Sequence, residues 1–250
     1  HSAVRSPQSD SMPPIDRTPK LYIGGRQARP DSGYTRRVHG PDGRAIGEVG
    51  EGNRKDIRNA VEAVHAAASG WGRATGHLRA QILYYIAENL SARGDELAGR
   101  IDAMTGGGDA AARDEVEGAI RRLFSYGAWA DKYDGQVHAV PIRGVALAMN
   151  EPVGVLGIVA PDERPLLGFV SLVAPAVAMG NTVVAVPSER HPLAATDLYS
   201  VLDTSDLPGG VVDIVTGAKD ALAAVLAGHD DVDGLWYFGS AEGSSEVERL

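Results

Sequence analysis

Four short apolar runs alternate with segments of helical character through the second half of the chain. The predicted strands are residues 153–160, 182–186, 211–215 and 235–238, and the predicted helices between them are residues 166–179, 193–202 and 218–227. The first run is continuous and rich in Val and Ile, which is typical of a strand covered on both faces of a sheet. Because alternating strands and helices build right-handed βαβ crossovers, this half predicts an α/β fold with a doubly wound, Rossmann-like parallel sheet.

The first half of the chain has a different pattern, in which short strands precede amphipathic helices. Apolar residues recur at helical spacing after Asn53, a favourable N-cap residue, and three further helical patterns follow. We expect the strands before residue 50 to be peripheral. Residues 106–108 are glycines that predict an interhelical turn rather than a phosphate loop, because no strand precedes them. The fourth helix is predicted to bury one face, formed by Val116, Ile120, Leu123, Phe124 and Trp129.

An antiparallel β-hairpin is predicted between the two halves. Residues 136–140 and 145–149 alternate in character around a turn at Arg143 and Gly144. A two-stranded hairpin is marginally stable alone, and its outer edge exposes backbone groups that favour pairing with another strand. We therefore expect residues 136–150 to be an oligomerisation element that pairs with a second copy or with a catalytic module.

Composition limits the classes of function that the chain could have. The 250 residues include 24 Lys and Arg against 33 Asp and Glu, and the resulting net charge of −9 disfavours nucleic acid and anionic membrane surfaces. No membrane span is expected, since the apolar residues 165–179 are interrupted by Ser171 and Pro175. Residues 1–20 are interpreted as a linker or disordered end, followed by one domain over residues 21–250. The expected compartment is the cytoplasm.

Several kinds of catalytic site are excluded by the residues present. The sequence contains no cysteine, so this chain has no thiol nucleophile, thiolate metal site or disulfide. The seven histidines are scattered, and His229 with the two aspartates after it is more typical of a turn than of a metal site. No serine-nucleophile elbow is present in a strand-to-helix turn. We expect neither a metal nor a serine triad.

Two carboxylates and one Gly-Ser turn follow the ends of predicted strands. Glu163 and Glu189 lie at the sheet edge where open α/β sheets usually bind ligands. Gly239 and Ser240 follow the last strand, where backbone N–H groups are suited to an anion such as pyrophosphate, but where Ser240 is equally suited to cap a helix. The glycine fingerprint of a conventional dinucleotide loop does not follow the first strand. The residues alone leave both interpretations of the Gly-Ser turn open.

Four blocks of the sequence resemble the NAD(P)-dependent aldehyde dehydrogenase superfamily, in the usual order of that family. The blocks are residues 151–161, 174–184, 207–217 and 229–233. The similarity covers the chain from residue 21 to its end, and residues 126–132 with the hairpin are similar to the lead-in to the family's oligomerisation strands. The resemblance implies a cofactor domain of the aldehyde dehydrogenase type.

The resemblance also implies that catalytic groups are missing. The family's P-W-N-F-P motif, whose Asn donates to the oxyanion, corresponds to residues 161–165, where Glu163 stands in place of the Asn. An ionised Glu only accepts hydrogen bonds and would repel a developing oxyanion. The family's general-base Glu and nucleophilic Cys lie downstream of the Gly-Ser turn, beyond Leu250 in this numbering. No catalytic residue is therefore assigned, and Glu163 is a degenerate oxyanion position.

The cofactor-binding positions are only partly retained. In the family's K-P-x-E motif, Lys and Glu bind the adenosine ribose; here Val186 replaces the Lys, whereas Glu189 is retained. The family's F-T-G-S turn keeps Gly239 and Ser240, which the resemblance assigns to the pyrophosphate, and Lys219 replaces a glycine of the adenine-side loop. Because Val186 forms no hydrogen bond with a ribose, we predict that NAD binds weakly or not at all.

Residues 79–90 and 236–240 look most like the second, cysteine-free module of the tandem-module branch, class sixteen, of this superfamily. The leading hypothesis is a catalytically inactive domain with a structural or oligomerisation role. The alternative is the NAD-binding part of an active enzyme that oxidises aldehydes to acids, with the thiol on another module. A third hypothesis is a nucleotide-sensing module without chemistry.

Overall fold

The computed structural model describes residues 19–133 and 135–250. The linker predicted for residues 1–20 therefore lies outside the described residues, except for Pro19 and Lys20. The strands are β1 Leu21–Ile23, β2 Arg26–Ala28, β3 Thr35–His39, β4 Ala45–Gly50, β5 Gln136–His138, β6 Ala146–Ala148, β7 Val155–Val159, β8 Thr182–Val186, β9 Val212–Ile214 and β10 Gly234–Tyr237. The helices are α1 Arg54–Gly72, α2 Gly76–Ala92, α3 Gly94–Thr105, α4 Asp109–Ala130, α5 Pro165–Ala178, α6 Leu193–Asp203, α7 Lys219–Ala227 and α8 Ala241–Val247.

The central sheet has the strand order β10-β7-β8-β9-β1-β2 within the described residues. Strands β7, β8, β9 and β10 are parallel, and helices connect them in sequence. Every residue of β7, β8 and β9 is buried, as expected for β-branched strands with helices on both faces. The predicted α/β fold with a doubly wound parallel sheet is confirmed, and β8 has the predicted bounds.

Helices cover both faces of this sheet. On one face, Val155 and Val159 of β7 pack in a core cluster with residues of α1 and α7, among them Val61 and Leu222. On the other face, Ile158 belongs to a larger cluster that includes residues of α5 and α6. Helices α2, α3 and α4 form a further layer, since α4 packs against α2, α3 and α5. The alternation of side chains along β7 thus serves two separate cores.

The prediction for the buried face of α4 is partly wrong. Val116 and Leu123 are buried, but Phe124 is 40% exposed and Trp129 is 56% exposed. The two aromatic rings have other partners, because Phe124 stacks on Tyr84 of α2 and Trp129 contacts Tyr133 edge-on. The buried face of α4 includes small residues instead, namely Ala112, Ala119, Gly127 and Ala130. Small side chains allow α4 to pack closely on its neighbours, and this closeness leaves the larger aromatic rings at the surface.

Strand β1 belongs to the central sheet, which corrects the expectation that the early strands are all peripheral. Tyr22 pairs with Ile214 of β9 in antiparallel register, and the Tyr22 hydroxyl donates to Asp203 Oδ1 at 2.7 Å. The Gly24 N–H donates to Asp213 Oδ1 at 2.8 Å. Strand β2 then pairs with β1 and forms the far edge of the sheet. Strand β1 therefore runs opposite to the parallel strands of the sheet, and β2, antiparallel to β1, runs in their direction.

Two helix boundaries follow the expected capping chemistry. Asn53 accepts hydrogen bonds from the Lys55 and Asp56 N–H groups, and the Asp56 carboxylate accepts one from the Asn53 N–H, which completes a capping box. Gly106 ends α3 with a φ of 66°, a left-handed conformation that favours glycine. The glycines at residues 106–108 thus form the predicted interhelical turn.

The predicted hairpin is present, although its strands are shorter than expected. Gln136 pairs with Ala148 and Val137 with Leu147, and β5 and β6 form a sheet of their own. Its apolar side chains are largely exposed, with Val137 at 74%, Leu147 at 63%, Val145 at 70% and Met149 at 70%. Within residues 19–133 and 135–250, no helix combines the length and apolar character needed to cross a membrane.

Candidate functional site

A cleft of about 800 Å³ lies at the carboxyl ends of β7, β8 and β10. Parallel strands and the helices that follow them meet at this edge, so the loops between them form the walls. The structure brings four of the five predicted positions together here, and the fifth, Val186, lies elsewhere. The residues that line the cleft are Pro161, Asp162, Glu163, Glu189, Arg190, Lys219, Asp220, Tyr237, Phe238, Gly239, Ser240, Ala241 and Ser244.

Val186 does not line the cleft. It is the last residue of β8, pairs with Val159 of β7 and has no exposed surface. Its side chain lies in the core cluster that includes Leu222 of α7. At this position the chain therefore contributes to packing beneath the cleft instead of presenting a hydrogen-bond donor to a ligand.

The loop that includes Glu163 is held by its neighbours. Glu163 itself is exposed, and the next residue, Arg164, forms an ion pair with Asp114 at 2.7 Å. The helix that follows, α5, is capped from α4, because the buried Glu115 carboxylate accepts from the Leu166 N–H at 2.8 Å. A second N–H of the first turn of α5 donates to the same oxygen at 3.2 Å. Glu163 lines the cleft, and its carboxylate offers no side-chain donor to an oxyanion.

Asp162 is the centre of a hydrogen-bond network in the floor of the cleft. Its Oδ1 accepts from Ser188 Oγ at 2.7 Å and from the Glu189 N–H at 3.0 Å, and it lies 3.2 Å from Lys219 Nζ. The Lys219 side chain is only 7% exposed. Burial alone would raise the pKa of Asp162, but the hydrogen bond from Ser188 and the charge of Lys219 outweigh it and lower that pKa. Asp162 and Lys219 form an ion pair inside the cleft.

Glu189 also has an intrachain partner. Its Oε2 accepts from the backbone N–H of Lys219, the first residue of α7, at 2.8 Å. This carboxylate therefore caps the N-terminus of α7, a role that its negative charge suits. The carboxylate that the resemblance assigns to a ribose has a structural role in this chain.

Ser240 is the N-cap of α8, and its Oγ accepts from the Gly243 N–H at 2.9 Å. The Ser240 N–H donates to the Tyr237 hydroxyl at 2.9 Å, and that hydroxyl donates to Asp220 Oδ1 at 2.5 Å. Ser240 Oγ also donates to Asp220 Oδ2 at 3.1 Å. Burial and the hydrogen bond to Asp220 raise the pKa of Tyr237, so its hydroxyl stays protonated. Of the two interpretations of Ser240, the structure shows the helix cap.

Among the cleft residues that the sequence did not single out are three that form its hydrogen bonds: Asp162, Asp220 and Tyr237. Asp162 could have been predicted as a site residue, because it follows the end of β7 as Glu163 does. Asp220 and Tyr237 could not have been, since they are 17 residues apart and meet only when α7 packs beside β10. Lys219 was predicted only to replace a glycine of the family's adenine-side loop. Its ion pair with Asp162 depends on the packing of the elements and has no local signal in the sequence.

No group of three or more histidines, aspartates or glutamates close enough to hold a metal ion occurs among residues 19–133 and 135–250. Within its own turn, the His229 Nδ1 accepts from the Asp231 N–H at 3.2 Å. The carboxylates of Asp162, Glu189 and Asp220 are instead paired with a cation, hydroxyls and backbone N–H groups of the chain.

The fold and the position of the cleft define a doubly wound α/β domain with a ligand cleft at the carboxyl edge of its sheet. The model of the aldehyde dehydrogenase family matches residues 29–249, and the chain therefore belongs to that family. The identified family explains the strand order, the helical layers and the hairpin together.

Curated relatives support the same family. Hydroxyisobutyraldehyde dehydrogenase of Mycolicibacterium austroafricanum is 34% identical over 234 residues, which are 93% of this chain and 46% of that protein. Retinaldehyde dehydrogenase 3 of Homo sapiens is 32% identical, and the match covers 97% of this chain and 50% of that protein. The chain spans about half the length of the curated relatives that it matches.

Solved structures of aldehyde dehydrogenases have a fold similar to that of this chain. Betaine aldehyde dehydrogenase of Staphylococcus aureus in complex with NAD⁺ superimposes with a TM-score of 0.89 at 25% identity, covering 93% of this chain and 48% of that one. An aldehyde dehydrogenase of Brucella melitensis biovar abortus has the same TM-score at 30% identity, covering 92% of this chain and 48% of that one. Structures of the family thus include NAD complexes.

Proposed function

We propose that this chain is a non-catalytic, cytoplasmic module of the aldehyde dehydrogenase family that acts in assembly. Its similarity to the cysteine-free second module of the class sixteen branch supports this proposal. The observation that carries it is the set of hydrogen bonds in the cleft, where the carboxylates and backbone donors expected to face a cofactor bond to groups of the chain itself.

The chemistry of the cleft supports a lack of catalysis by this chain. Attack on an aldehyde requires a nucleophile such as a thiolate, and the sequence contains no cysteine. The oxyanion position presents Glu163, which would repel negative charge instead of stabilising it. A domain without catalysis retains the sheet and its packing but not the groups that acted on substrate.

The residues present fit NAD poorly. Val186 is buried in the core, so it presents no donor to a ribose. The Glu189 carboxylate bonds to the Lys219 N–H, and the Ser240 N–H bonds to the Tyr237 hydroxyl. A dinucleotide would have to displace these partners, and each hydrogen bond lost without replacement weakens binding. We therefore propose weak or absent NAD binding by this chain.

The exposed hairpin supports a role in assembly. Val137 and Leu147 lie opposite each other and are both largely exposed, and Val145 and Met149 extend the apolar surface. A two-stranded sheet of this size is not stable alone in water, and its edges present unpaired backbone groups. We propose that residues 136–150 pair with a second copy of this chain or with a catalytic module of the same family.

One alternative has its own support. Because the matched relatives are about twice as long and are named as dehydrogenases, this chain could be the cofactor-binding part of an active enzyme whose thiol lies on another module. The intact length of the source protein tests the tandem arrangement. A longer chain with a cysteine-bearing module upstream supports the class sixteen assignment, and a single module that carries its own downstream cysteine contradicts it.

Activity of the purified chain tests the absence of catalysis. We expect no formation of NADH or NADPH from simple aldehydes, with an active member of the family assayed in parallel to validate the conditions. Sustained cofactor reduction that depends on this chain would contradict the proposal.

The double substitution Val145→Pro and Leu147→Lys tests assembly. Proline removes a backbone donor and lysine places a charge on the apolar surface, so both disfavour strand addition. We expect the variant to sediment as a smaller species than the parent chain, whereas Tyr34→Lys, an exposed position outside the hairpin, should leave the assembly unchanged. A parent chain that is monomeric at micromolar concentration, or a variant that assembles like the parent, would show that the hairpin is not the interface.

A further inference from the structure

Asp220 lies between the N-termini of two helices. It is in the first turn of α7, and its carboxylate accepts from the hydroxyl of Ser240, the N-cap of α8. Helix N-termini carry partial positive charge, which favours a nearby anion. One carboxylate of the chain therefore supplies negative charge to both helix ends that face the cleft.

The backbone donors beside Asp220 already have acceptors. The Ser240 N–H donates to the Tyr237 hydroxyl, the Gly243 N–H to Ser240 Oγ, and the Lys219 N–H to the Glu189 carboxylate. These groups surround the Gly-Ser turn, where the family resemblance places the pyrophosphate. An incoming phosphate would find the donors engaged and a carboxylate in the place suited to its own charge.

Tyr237 fixes this arrangement. Its hydroxyl donates to Asp220 and accepts from the Ser240 N–H, and its raised pKa keeps the proton that the bond to Asp220 needs. The ring lies directly over Gly239 and Gly243, where any Cβ would collide with the tyrosine side chain. The two glycines thus admit the ring to the turn, and the ring brings its hydroxyl to the N-terminal end of α8.

We propose that Asp220, positioned by Tyr237, is the group that excludes dinucleotides from this cleft. Its carboxylate supplies negative charge at this turn and accepts from the Tyr237 and Ser240 hydroxyls. Those two hydroxyls in turn accept from backbone N–H groups that a pyrophosphate would otherwise use. This inference rests on the proposed function, in which the module has no need of a cofactor. It adds a residue-specific cause for weak NAD binding that is separate from the buried Val186.

Calorimetric titration of NAD into Asp220→Asn tests the inference. The amide removes the negative charge and keeps one oxygen, which can still accept from Tyr237, while its NH2 replaces the oxygen that accepts from Ser240. We expect the dissociation constant for NAD to fall by about tenfold or more relative to the parent chain, the order expected when one unfavourable charged contact is removed. The matched control is Asp231→Asn, which makes the same change of charge at an exposed position outside the cleft and should leave NAD binding unchanged.

Tyr237→Phe provides a second, independent measurement. It frees the Ser240 N–H and removes the hydroxyl that positions the Asp220 carboxylate, but the charge stays, so we expect a smaller gain in NAD affinity than for Asp220→Asn. If Asp220→Asn does not fold, a gain for Tyr237→Phe still supports the inference and its absence overturns it.

The outcomes separate this inference from the proposed function. If the parent chain itself binds NAD with a low-micromolar dissociation constant, the proposal of weak binding fails, and the inference fails with it. If the parent chain binds weakly and neither cleft variant differs from Asp231→Asn, the inference is overturned while the proposed function stands.

Discussion

The central sheet and the cleft at its carboxyl edge differ in the interactions of their side chains. In the sheet, side chains of β7 and β8 are buried among apolar neighbours from two helical layers. In the cleft, charged and polar side chains pair with one another: Asp162 with Lys219, Glu189 with a helix N-terminus, and Asp220 with Tyr237 and Ser240. The stability of the fold thus depends mainly on the sheet. In the cleft, the polar groups that a ligand would contact are bonded to one another instead.

This difference explains how the family fold persists beside an altered site. The packing of a parallel sheet constrains size and shape at many positions at once, because interiors are close-packed. In a cleft open to solvent, the need to bind a ligand is the main constraint on which residues are tolerated. Where no ligand has to be bound, the polar groups are free to bond to each other. Substitutions in the two regions should therefore have effects of different size on stability.

The largest effect is expected in the sheet. Ile158→Ala removes a fully buried side chain from strand β7 of the central sheet, and we expect the free energy of unfolding to fall by about 2–5 kcal/mol in urea titrations. Val153→Ala, just before the same strand but 64% exposed, should change it by less than about 0.5 kcal/mol. Equal losses for the two variants would break the distinction between buried sheet and exposed surface.

The sheet also contains one buried carboxylate. Asp213 of β9 accepts from the Gly24 N–H through Oδ1, and its Oδ2 has no hydrogen-bond partner among the described residues. Burial raises the pKa of Asp213 to about 7. Because the folded chain then retains a proton that the unfolded chain releases, this group lowers stability as pH rises from about 4 to about 7.

Asp213→Asn tests that linkage. The buried carboxyl group lowers the free energy of unfolding of the parent by at most about 1.4 kcal/mol per pH unit, and the substitution removes this dependence. The free energy of unfolding of the variant, relative to that of the parent, should therefore rise by about 2 kcal/mol from about pH 5 to about pH 7. Asp230→Asn, an exposed carboxylate, serves as the control in the same urea titrations at each pH. A difference between Asp213→Asn and the parent that is independent of pH would show that Asp213 is ionised in the folded protein throughout this range.

A smaller effect is expected in the cleft. Lys219→Met keeps roughly the length of the side chain but leaves the partly buried Asp162 without its cation. Because Asp162 is 30% exposed, the pair lies between a surface pair and a fully buried one, and we expect a loss of about 1–2 kcal/mol at neutral pH. Since the pKa of Asp162 is lowered in the folded protein, the pair contributes above the ordinary pKa of Asp and loses its effect as the carboxyl becomes protonated in acid. A loss as large as that of Ile158→Ala would mean that the cleft is part of the folding core.

The smallest effect is expected for Glu163→Asn. The side chain is exposed, so restoring the family's amide should change the free energy of unfolding by less than about 0.5 kcal/mol. The variant should also remain inactive towards aldehydes, because no nucleophile is added. Measurable dehydrogenase activity would show that the oxyanion position, and not the missing thiol, limits this chain.

Much of the fold could be predicted from the sequence because buried parallel strands have a strong local signature. Strand β8 has the predicted bounds, since its five β-branched or small apolar residues lie between clear breaks. The burial of α4 was harder to predict, because Phe124 and Trp129 are apolar but the helix packs through alanines. Hydrophobicity alone does not indicate which side of a helix fits closest to its neighbour.

The candidate site was predictable only in part, for a physical reason. Glu163, Glu189, Gly239 and Ser240 follow strand ends, and topology alone brings strand ends together. The atoms that these residues contact come from other elements, and those contacts depend on packing. Asp220 reaches Ser240 across 20 positions of sequence, so its effect on the cleft has no local signature.

The antiparallel pairing of β1 with β9 has a consequence for the order of folding. The Gly24 N–H and the Asp213 carboxylate that it contacts are 189 positions apart, and the Tyr22 hydroxyl bonds to a residue 181 positions away. During synthesis, β1 can pair with β2 at once, but it leaves the ribosome long before β9 exists, so its edge towards β9 stays unpaired until Ile214 has emerged. Contacts of such long range slow folding, so docking of the N-terminal strand is expected to be a late event that completes the sheet.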